Sequence, residues 1–286
     1  MKKLSGNEPA VEPQAGIPSQ NDKHSLLVGI IKEAARHADA IYVGFSGGLD
    51  SSYLLLETAQ AMGSKKVIGV TVKAPTSSAD EISEAAIFAR MLGVRHLILD
   101  PPEFDSKEFR ENNPDRCYHC KRLRYNRILK LPDPGVRAVF FDGTQADDNP
   151  DERPGSAAIR ELGVATPLAQ AGITKDEIRH QLRLKGLYRL AEKQAEPCLA
   201  TRIPFGRPIL ESELEMVRKG EKILKDGGLK LVRLRHHGGL ARIVTDHSGM
   251  NIIVNESKVR EEIIGGLKQI GFQLVALDLD EYGHGA

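Results

Sequence analysis

Two groups of residues in this sequence could do chemistry together. The first is Ser46-Gly47-Gly48-Leu49-Asp50-Ser51-Ser52. Apolar residues 40–45 lead into it, and a helical pattern starting near Ser51 leads out. It therefore reads as a strand, a glycine turn and a helix start. Gly47 and Gly48 permit positive φ and close approach of the backbone to a ligand. Such a turn aims backbone N–H groups at one point, and the helix N-terminus adds positive potential. The hydroxyls of Ser46, Ser51 and Ser52 add donors, so the natural ligand is phosphate. The second group is sulfur: Cys117-Tyr118-His119-Cys120, a C-x-x-C at the start of another helical pattern, and Cys198 far along the chain.

The chain has no G-x-x-x-x-G-K-S/T, so the glycine turn is not the loop that holds β- and γ-phosphates for γ-transfer. It resembles the PP-loop, S-G-G-x-D-S, of ATP pyrophosphatases, which cleave ATP between the α- and β-phosphates and place AMP on a substrate oxygen. Asp50 at the helix start could cap the helix, orient the turn or hold Mg²⁺.

A helix N-terminus favours thiolate, so the C-x-x-C position is expected to lower the thiol pKa. Three uses of the cysteines compete. A redox dithiol leaves Cys198 idle. A structural Cys₃His zinc site takes His119 or another histidine as fourth ligand. A 4Fe-4S cluster held by Cys117, Cys120 and Cys198 leaves one iron open. Spacing alone does not separate zinc from cluster. Beside an ATP-activating loop, an open iron has a use, which is to carry a sulfide; a closed zinc site there is only scaffolding.

These groups must be positioned by a scaffold, and hydrophobic periodicity supplies one. A helix is expected over 26–37, strands over 40–45, 66–72, 95–99 and 138–141, and helices over 51–62, 79–92 and 117–130. Strands alternating with helices mean a doubly wound parallel α/β sheet. Ser46, Lys73 and Gly143 each follow a strand, so they fall on the carboxyl edge where such sheets bind ligands. Gly143 opens a polar loop whose Asp147 and Asp148 could hold Mg²⁺ on ATP phosphates. Thr174 with Glu177 marks a capped helix over 174–185. A second, smaller α+β unit follows: a helix over 211–226, strands over 229–235 and 240–245 joined by a turn at 236–239, a third strand over 251–254, a helix over 257–270 and a last strand over 272–277. The expected division is a disordered tail over 1–22, a nucleotide domain over 23–205 and a substrate-binding or oligomerisation domain over 206–286.

Composition narrows the function classes. With 40 basic and 39 acidic residues among 286, the charge balance gives no global bias toward a polyanion. No apolar run reaches membrane-spanning length, and Lys2 and Lys3 precede no apolar core, so neither a membrane span nor a secretory signal is expected. Three cysteines form no even disulfide framework, which points to reduced thiols and a cytoplasmic protein.

Taken together, the motifs resemble the LarE family of ATP-dependent sulfur transferases. The matching segments are 45–52, 117–125, 142–155, 161–179, 198–206 and 231–243. The runs Asp147-Asp148, Arg153-Pro154-Gly155 and Arg233-Leu234-Arg235-His236-His237-Gly238 match more narrowly than the PP-loop. The resemblance implies a PP-loop ATP pyrophosphatase fold with a smaller C-terminal α+β domain. It implies that the carboxylates of pyridinium-3,5-biscarboxylic acid mononucleotide are converted to thiocarboxylates through an acyl-adenylate, on the way to a nickel-pincer cofactor. Some members give up the sulfur of the cysteine matching Cys198; others carry all three cysteines and resemble cluster-bearing thiolases, as this chain does. Its close at 278–286 is shorter than in many relatives.

By position, the resemblance implies that Ser46, Gly47, Gly48, Asp50, Ser51 and Ser52 bind ATP phosphates, with Lys73 near the nucleotide. Arg202, Glu221, Arg233 and Arg235 correspond to a substrate- and phosphate-binding group. Cys117, Cys120 and Cys198 correspond to the cluster ligands. A sulfide or persulfide donor and a homo-oligomer, hexameric in the family, are implied partners, with no nucleic acid and no membrane. The rivals are a tRNA thiolase, an amide-forming synthetase and a nucleotide-binding module with structural zinc. An aromatic-rich basic module for RNA is absent from the sequence.

Overall fold

The structure is a computed structural model, and it describes residues 20–73, 79–100, 103–148, 154–194, 197–280 and 282. The first helix, α1, runs Gln20–Ala34 and is followed by β1, Ala40–Gly44. Next come α2, Leu49–Met62; β2, Val67–Val72; α3, Ala79–Met91; and β3, Arg95–Leu99. A short α4, Lys107–Glu111, precedes the cysteine-bearing α5, Arg116–Ile128, and β4, Ala138–Phe141. Helices α6, Pro154–Glu161; α7, Pro167–Gln170; α8, Lys175–Leu184; and α9, Tyr188–Ala191, complete the first unit.

All four strands pair in parallel, in the order β3-β2-β1-β4. This is the expected α/β sheet, and its order reverses between β1 and β4. A crevice opens there at the carboxyl ends of the strands, and both the glycine turn and the Gly143 loop emerge into it. β1 explains the layering. Ile41 and Val43 face a core with Leu27 of α1, Tyr53 of α2 and Ile178 of α8, while Tyr42 faces Tyr125 and Ile128 of α5 and Ile159 of α6. The strand alternates between two apolar faces, as a sheet covered on both sides requires.

The chain then forms α10, Glu211–Asp226, the hairpin β5, Val232–His237, and β6, Leu240–Thr245, then α11, His247–Asn255, α12, Ser257–Gln269, and β7, Leu274–Leu277. β6 is central, antiparallel to β5 and parallel to β7. Leu224, Leu234, Ile243, Ile263 and Leu267 form this unit's own core. A smaller cluster of Phe109, Ala200, Ile203, Ile209 and Leu214 ties it to the first unit.

Several expected elements are corrected. The segment 251–254 is helix, not strand: Asp246 caps α11 by accepting from Gly249 N at 3.0 Å, and the chain continues helically beyond it. His236 and His237 are strand, not turn, because Gly238 and Gly239 take the positive φ that a tight hairpin needs. Residues 20–22 of the expected tail belong to α1. Lys23 anchors that first turn through Gly172 O at 2.8 Å and the Glu177 carboxylate at 2.9 Å. Residues 1–19, which carry the rest of the expected tail, lie outside the described residues, as do Arg153, 281 and 283–286. Helices α6, α7 and α9 were not expected. The capping box of Thr174 and Glu177 is present.

Candidate active site

The glycine turn is built by its own serines. Ser46 Oγ lies 3.1 Å from Ser51 Oγ and accepts from Gly48 N at 3.3 Å, while Ser51 Oγ accepts from Ser46 N at 3.3 Å. Only Gly47 has positive φ, at 76°. Gly48 is extended and is the N-cap of α2, with no side chain capping the first turn. Asp50 is therefore the second residue of the helix and not its cap. Lys193 Nζ steadies the turn from below, donating to Gly47 O at 3.1 Å and to Glu84 Oε2 at 2.9 Å. Gly143 has a steric reason: a Cβ there would meet Ser51 N and Cα at 3.0 Å. The loop after β4 is thereby pressed onto the helix start.

One cavity of about 410 Å³ joins the two chemistries. Ser46, Gly48, Asp50, Ser51, Gly143 and Asp148 line it from the nucleotide-loop side, and Cys117, Cys120 and Cys198 from the other. Gly47 and Ser52 are buried under the turn. Lys73 is exposed and outside the lining, its N–H tied to Leu99 O at 2.8 Å. Asp147 is also exposed and outside; its carboxylate accepts from Lys175 N at 2.8 Å.

The cysteine wall is α5. Cys117, Cys120 and Arg124 recur on one helix face, and Lys121 reaches Asp142 Oδ1 at 3.1 Å. Asp142, which sequence reasoning missed, is buried and accepts from Tyr125 Oη at 2.7 Å and Thr144 N at 2.9 Å. Burial works against its charge, but Lys121, Thr144 and Tyr125 hold its pKa below the usual value. Burial pushes the Cys120 thiol up to about 12 despite nearby Arg124, with Glu103 and the other two cysteines adding to the rise. This reverses the lowering expected from the helix N-terminus. Cys198 precedes a short 3-10 turn, Leu199–Arg202, which Arg116 holds by donating to Ala200 O at 3.0 Å.

The donor chemistry fits a soft metal group, since three thiols converge on one cavity with a cation beside them. No histidine lines that cavity among the described residues, and His119 engages Asp115 at 3.1 Å. A closed Cys₃His zinc site therefore has no fourth ligand in place. No group of three ligands is already drawn to metal-holding distance among the described residues.

The four remaining expected residues gather apart from the cavity. Arg202 is buried and donates through Nε to Glu221 Oε1 at 2.6 Å; the same oxygen accepts from Leu234 N at 3.1 Å. Arg233 and Arg235 share one face of β5. Arg233 donates to Tyr282 Oη at 3.0 Å and stacks on its ring. Arg235 stands directly across from Arg242, which Asp278 holds at 2.7 Å. Burial, then Arg242, Arg233 and Arg202, push the Arg235 pKa down. Four guanidinium groups act on one another here, and like charges opposite each other in a sheet are unfavourable without a counter-charge.

A parallel α/β sheet with a serine-glycine turn at its switch point, and without the P-loop lysine, defines a PP-loop protein of the ATP-using class. Residues 24–114 match the NAD synthase family model. The chain is 30% identical over 247 residues to an uncharacterized protein of Synechocystis, covering 86% of this chain and 91% of that one. It is 29% identical over 266 residues to the pyridinium-3,5-bisthiocarboxylic acid mononucleotide synthase of Lactiplantibacillus plantarum, covering 92% of each. An uncharacterized protein of Methanocaldococcus jannaschii matches at 28% over 242 residues, 85% of this chain and 90% of its own length. The chain belongs to the LarE family of PP-loop proteins.

Proposed function

We propose that this chain is an ATP-dependent sulfur transferase that converts carboxylates of a pyridinium dicarboxylate mononucleotide to thiocarboxylates. The observation that carries the reading is the single cavity shared by the nucleotide turn and three cysteines. The relative from L. plantarum, similar along almost the whole chain, supports the substrate class.

The serine-glycine turn and the uncapped start of α2 hold the phosphates of ATP, and Asp50 and Asp148 face the same space for Mg²⁺. The substrate carboxylate attacks the α-phosphorus, and pyrophosphate leaves. This step replaces a poor leaving group on the carboxyl carbon with AMP. The residues act by positioning and by stabilising charge. The guanidinium groups of Arg202, Arg233 and Arg235, with Glu221, hold the phosphate of the mononucleotide. Cys117, Cys120 and Cys198 are the residues that would hold a 4Fe-4S cluster; when bound, it supplies an open iron position for sulfide. Residues 23–205 act as the nucleotide domain and 206–286 as the substrate and assembly domain of a cytoplasmic homo-oligomer, reloaded by a sulfide or persulfide donor. No helix among the described residues is long and apolar enough to cross a membrane.

The test is product analysis with α- and γ-labelled ATP, the mononucleotide and a sulfide source. AMP, pyrophosphate and thiocarboxylate are expected. ADP as the main product would overturn the adenylation. AMP without thiocarboxylate would move the chain toward an amide-forming synthetase.

A further inference from the structure

Three basic side chains line the cavity: Arg116, Lys121 and Arg124. Two are committed. Arg116 donates to Asn112 Oδ1 and Ala200 O, and Lys121 to Asp142. Arg124 spends only Nε, on Glu103 Oε1, so among the described residues its two terminal NH₂ groups take no protein acceptor. Glu103 is fully buried, and the oxygen that holds Arg124 lies 3.6 Å from Cys120 Sγ. Arg124 is thus held through Nε, one helical turn beyond Cys120, and keeps four N–H donors on its terminal groups in the cavity wall it shares with the thiols. Burial opposes its charge, and the Glu103 carboxylate held against it supports the guanidinium.

We propose that Arg124 binds the anionic sulfur that enters this cavity, as hydrosulfide, and holds it for attack on the activated carboxyl. A guanidinium is weakly hydrated and presents parallel donors, which suits a small soft anion. The phosphates have their own donors on the opposite wall. The inference rests on the sulfur-transfer reading. In the step, the hydrosulfide electron pair forms the C–S bond, the C–O bond to AMP breaks and AMP leaves with the C–O bonding pair. The thiocarboxylic acid then loses its proton to water. Nothing is oxidised or reduced.

The test first uses the reduced full-length chain purified in air, where cysteine alkylation reads anion attraction directly. Cys198 is exposed. Its rate with anionic iodoacetate, divided by its rate with neutral iodoacetamide, is read by peptide mass spectrometry. Thiol reactivity cancels in that ratio. Arg124→Gln should lower the ratio about fivefold, and Arg124→Lys should restore much of it, on the order expected for one nearby charge. In the wild-type chain, bromide exchanged for gluconate at constant ionic strength should slow iodoacetate and spare iodoacetamide, a result that needs no variant to fold. An unchanged ratio in Arg124→Gln, or no bromide effect, overturns the proposal. In the complete reaction, Arg124→Gln should raise KM for hydrosulfide at least tenfold more than KM for the mononucleotide. A larger rise for the mononucleotide would assign Arg124 to the substrate carboxylate and overturn the proposal. A wild-type chain that makes no thiocarboxylate sinks the sulfur-transfer reading, and the alkylation ratio still decides whether Arg124 binds anions.

Discussion

Asn112 is the residue through which the cysteine helix grips the Cys198 segment, and replacing it should loosen that grip measurably. It is fully buried and has a left-handed φ of 58°, unusual for a residue with a side chain. Its Nδ2 donates to Pro204 O at 2.8 Å and Arg207 O at 2.9 Å, with Ile203 O a weaker third at 3.3 Å. Its Oδ1 accepts from Arg116, which is itself buried. Asn112→Ala removes two neutral bonds worth about 1 kcal/mol each and one charge-assisted bond worth about 1.5–3 kcal/mol. Alanine also tolerates the left-handed region less well than asparagine, at a cost of about 1 kcal/mol. The total is about 4–6 kcal/mol, near the top of what one substitution does. Urea unfolding of the variant and wild type measures it. Asn112→Gly relieves the backbone term alone and should be more stable than Asn112→Ala. Because the lost bonds hold residues 198–209 and not the nucleotide turn, thiocarboxylate formation should fall more than AMP release. A loss of less than about 1 kcal/mol would refute the reasoning, since it would mean the segment is held by the apolar cluster around Phe109 alone.

Gly143→Ala places a methyl 3.0 Å from the backbone of Ser51, where nothing flexible can yield; overpacking by about 1–3 kcal/mol is expected, read as a lower Tm together with a raised KM for ATP. Stability should also rise with pH between about 5 and 7. Burial depresses the pKa of His96, His236 and His237 below the free value of 6.5. The unfolded chain therefore binds more protons just below that value, and stability is lost as pH falls through the window. His236→Gln, at the most buried of the three, should flatten the Tm profile across that range; an unchanged slope would show that its burial contributes nothing to it.

The nucleotide half of the fold was legible because its signals are local. β-branched runs alternate with amphipathic helices, and the glycine turn falls where a strand must hand over to a helix. The smaller unit was less so. Residues 251–254, Asn-Ile-Ile-Val, carry the composition of a strand, yet the Asp246 cap begins a helix that runs through them. His236 and His237 were placed in a turn on the strength of the glycines beside them. The register of six cross-strand pairs carries them into β5 instead, His236 inward against Phe272 and His237 outward with the arginines. Both errors came from judging short segments by residue type; the Asp246 cap decided the first, and the partner across the sheet decided the second.

The site divides along the same line. Gly47, Ser46, Ser51 and the C-x-x-C pair could be read from spacing, since a turn and a helix face are set within a few residues. Arg124 is seven residues past Cys117, on the same face, and that periodicity could have found it. Glu103 could not be found so, because it lies 21 residues from Arg124 and its meaning comes from burial. Arg242 is the clearest case. Two residues apart on a strand, Arg233 and Arg235 share one face, where two basic residues suit either a solvent edge or a phosphate. Only the pairing of β5 with β6 sets Arg242 directly against Arg235. A surface edge gains nothing from two opposed guanidinium groups. Tyr282, Asp278 and Glu221 hold Arg233, Arg242 and Arg202, while Nε of Arg233 and Nε of Arg235 are both buried with no partner among the described residues. The unmatched donors thus lie on the two arginines of one β5 face, where the proposed function places the phosphate of the mononucleotide.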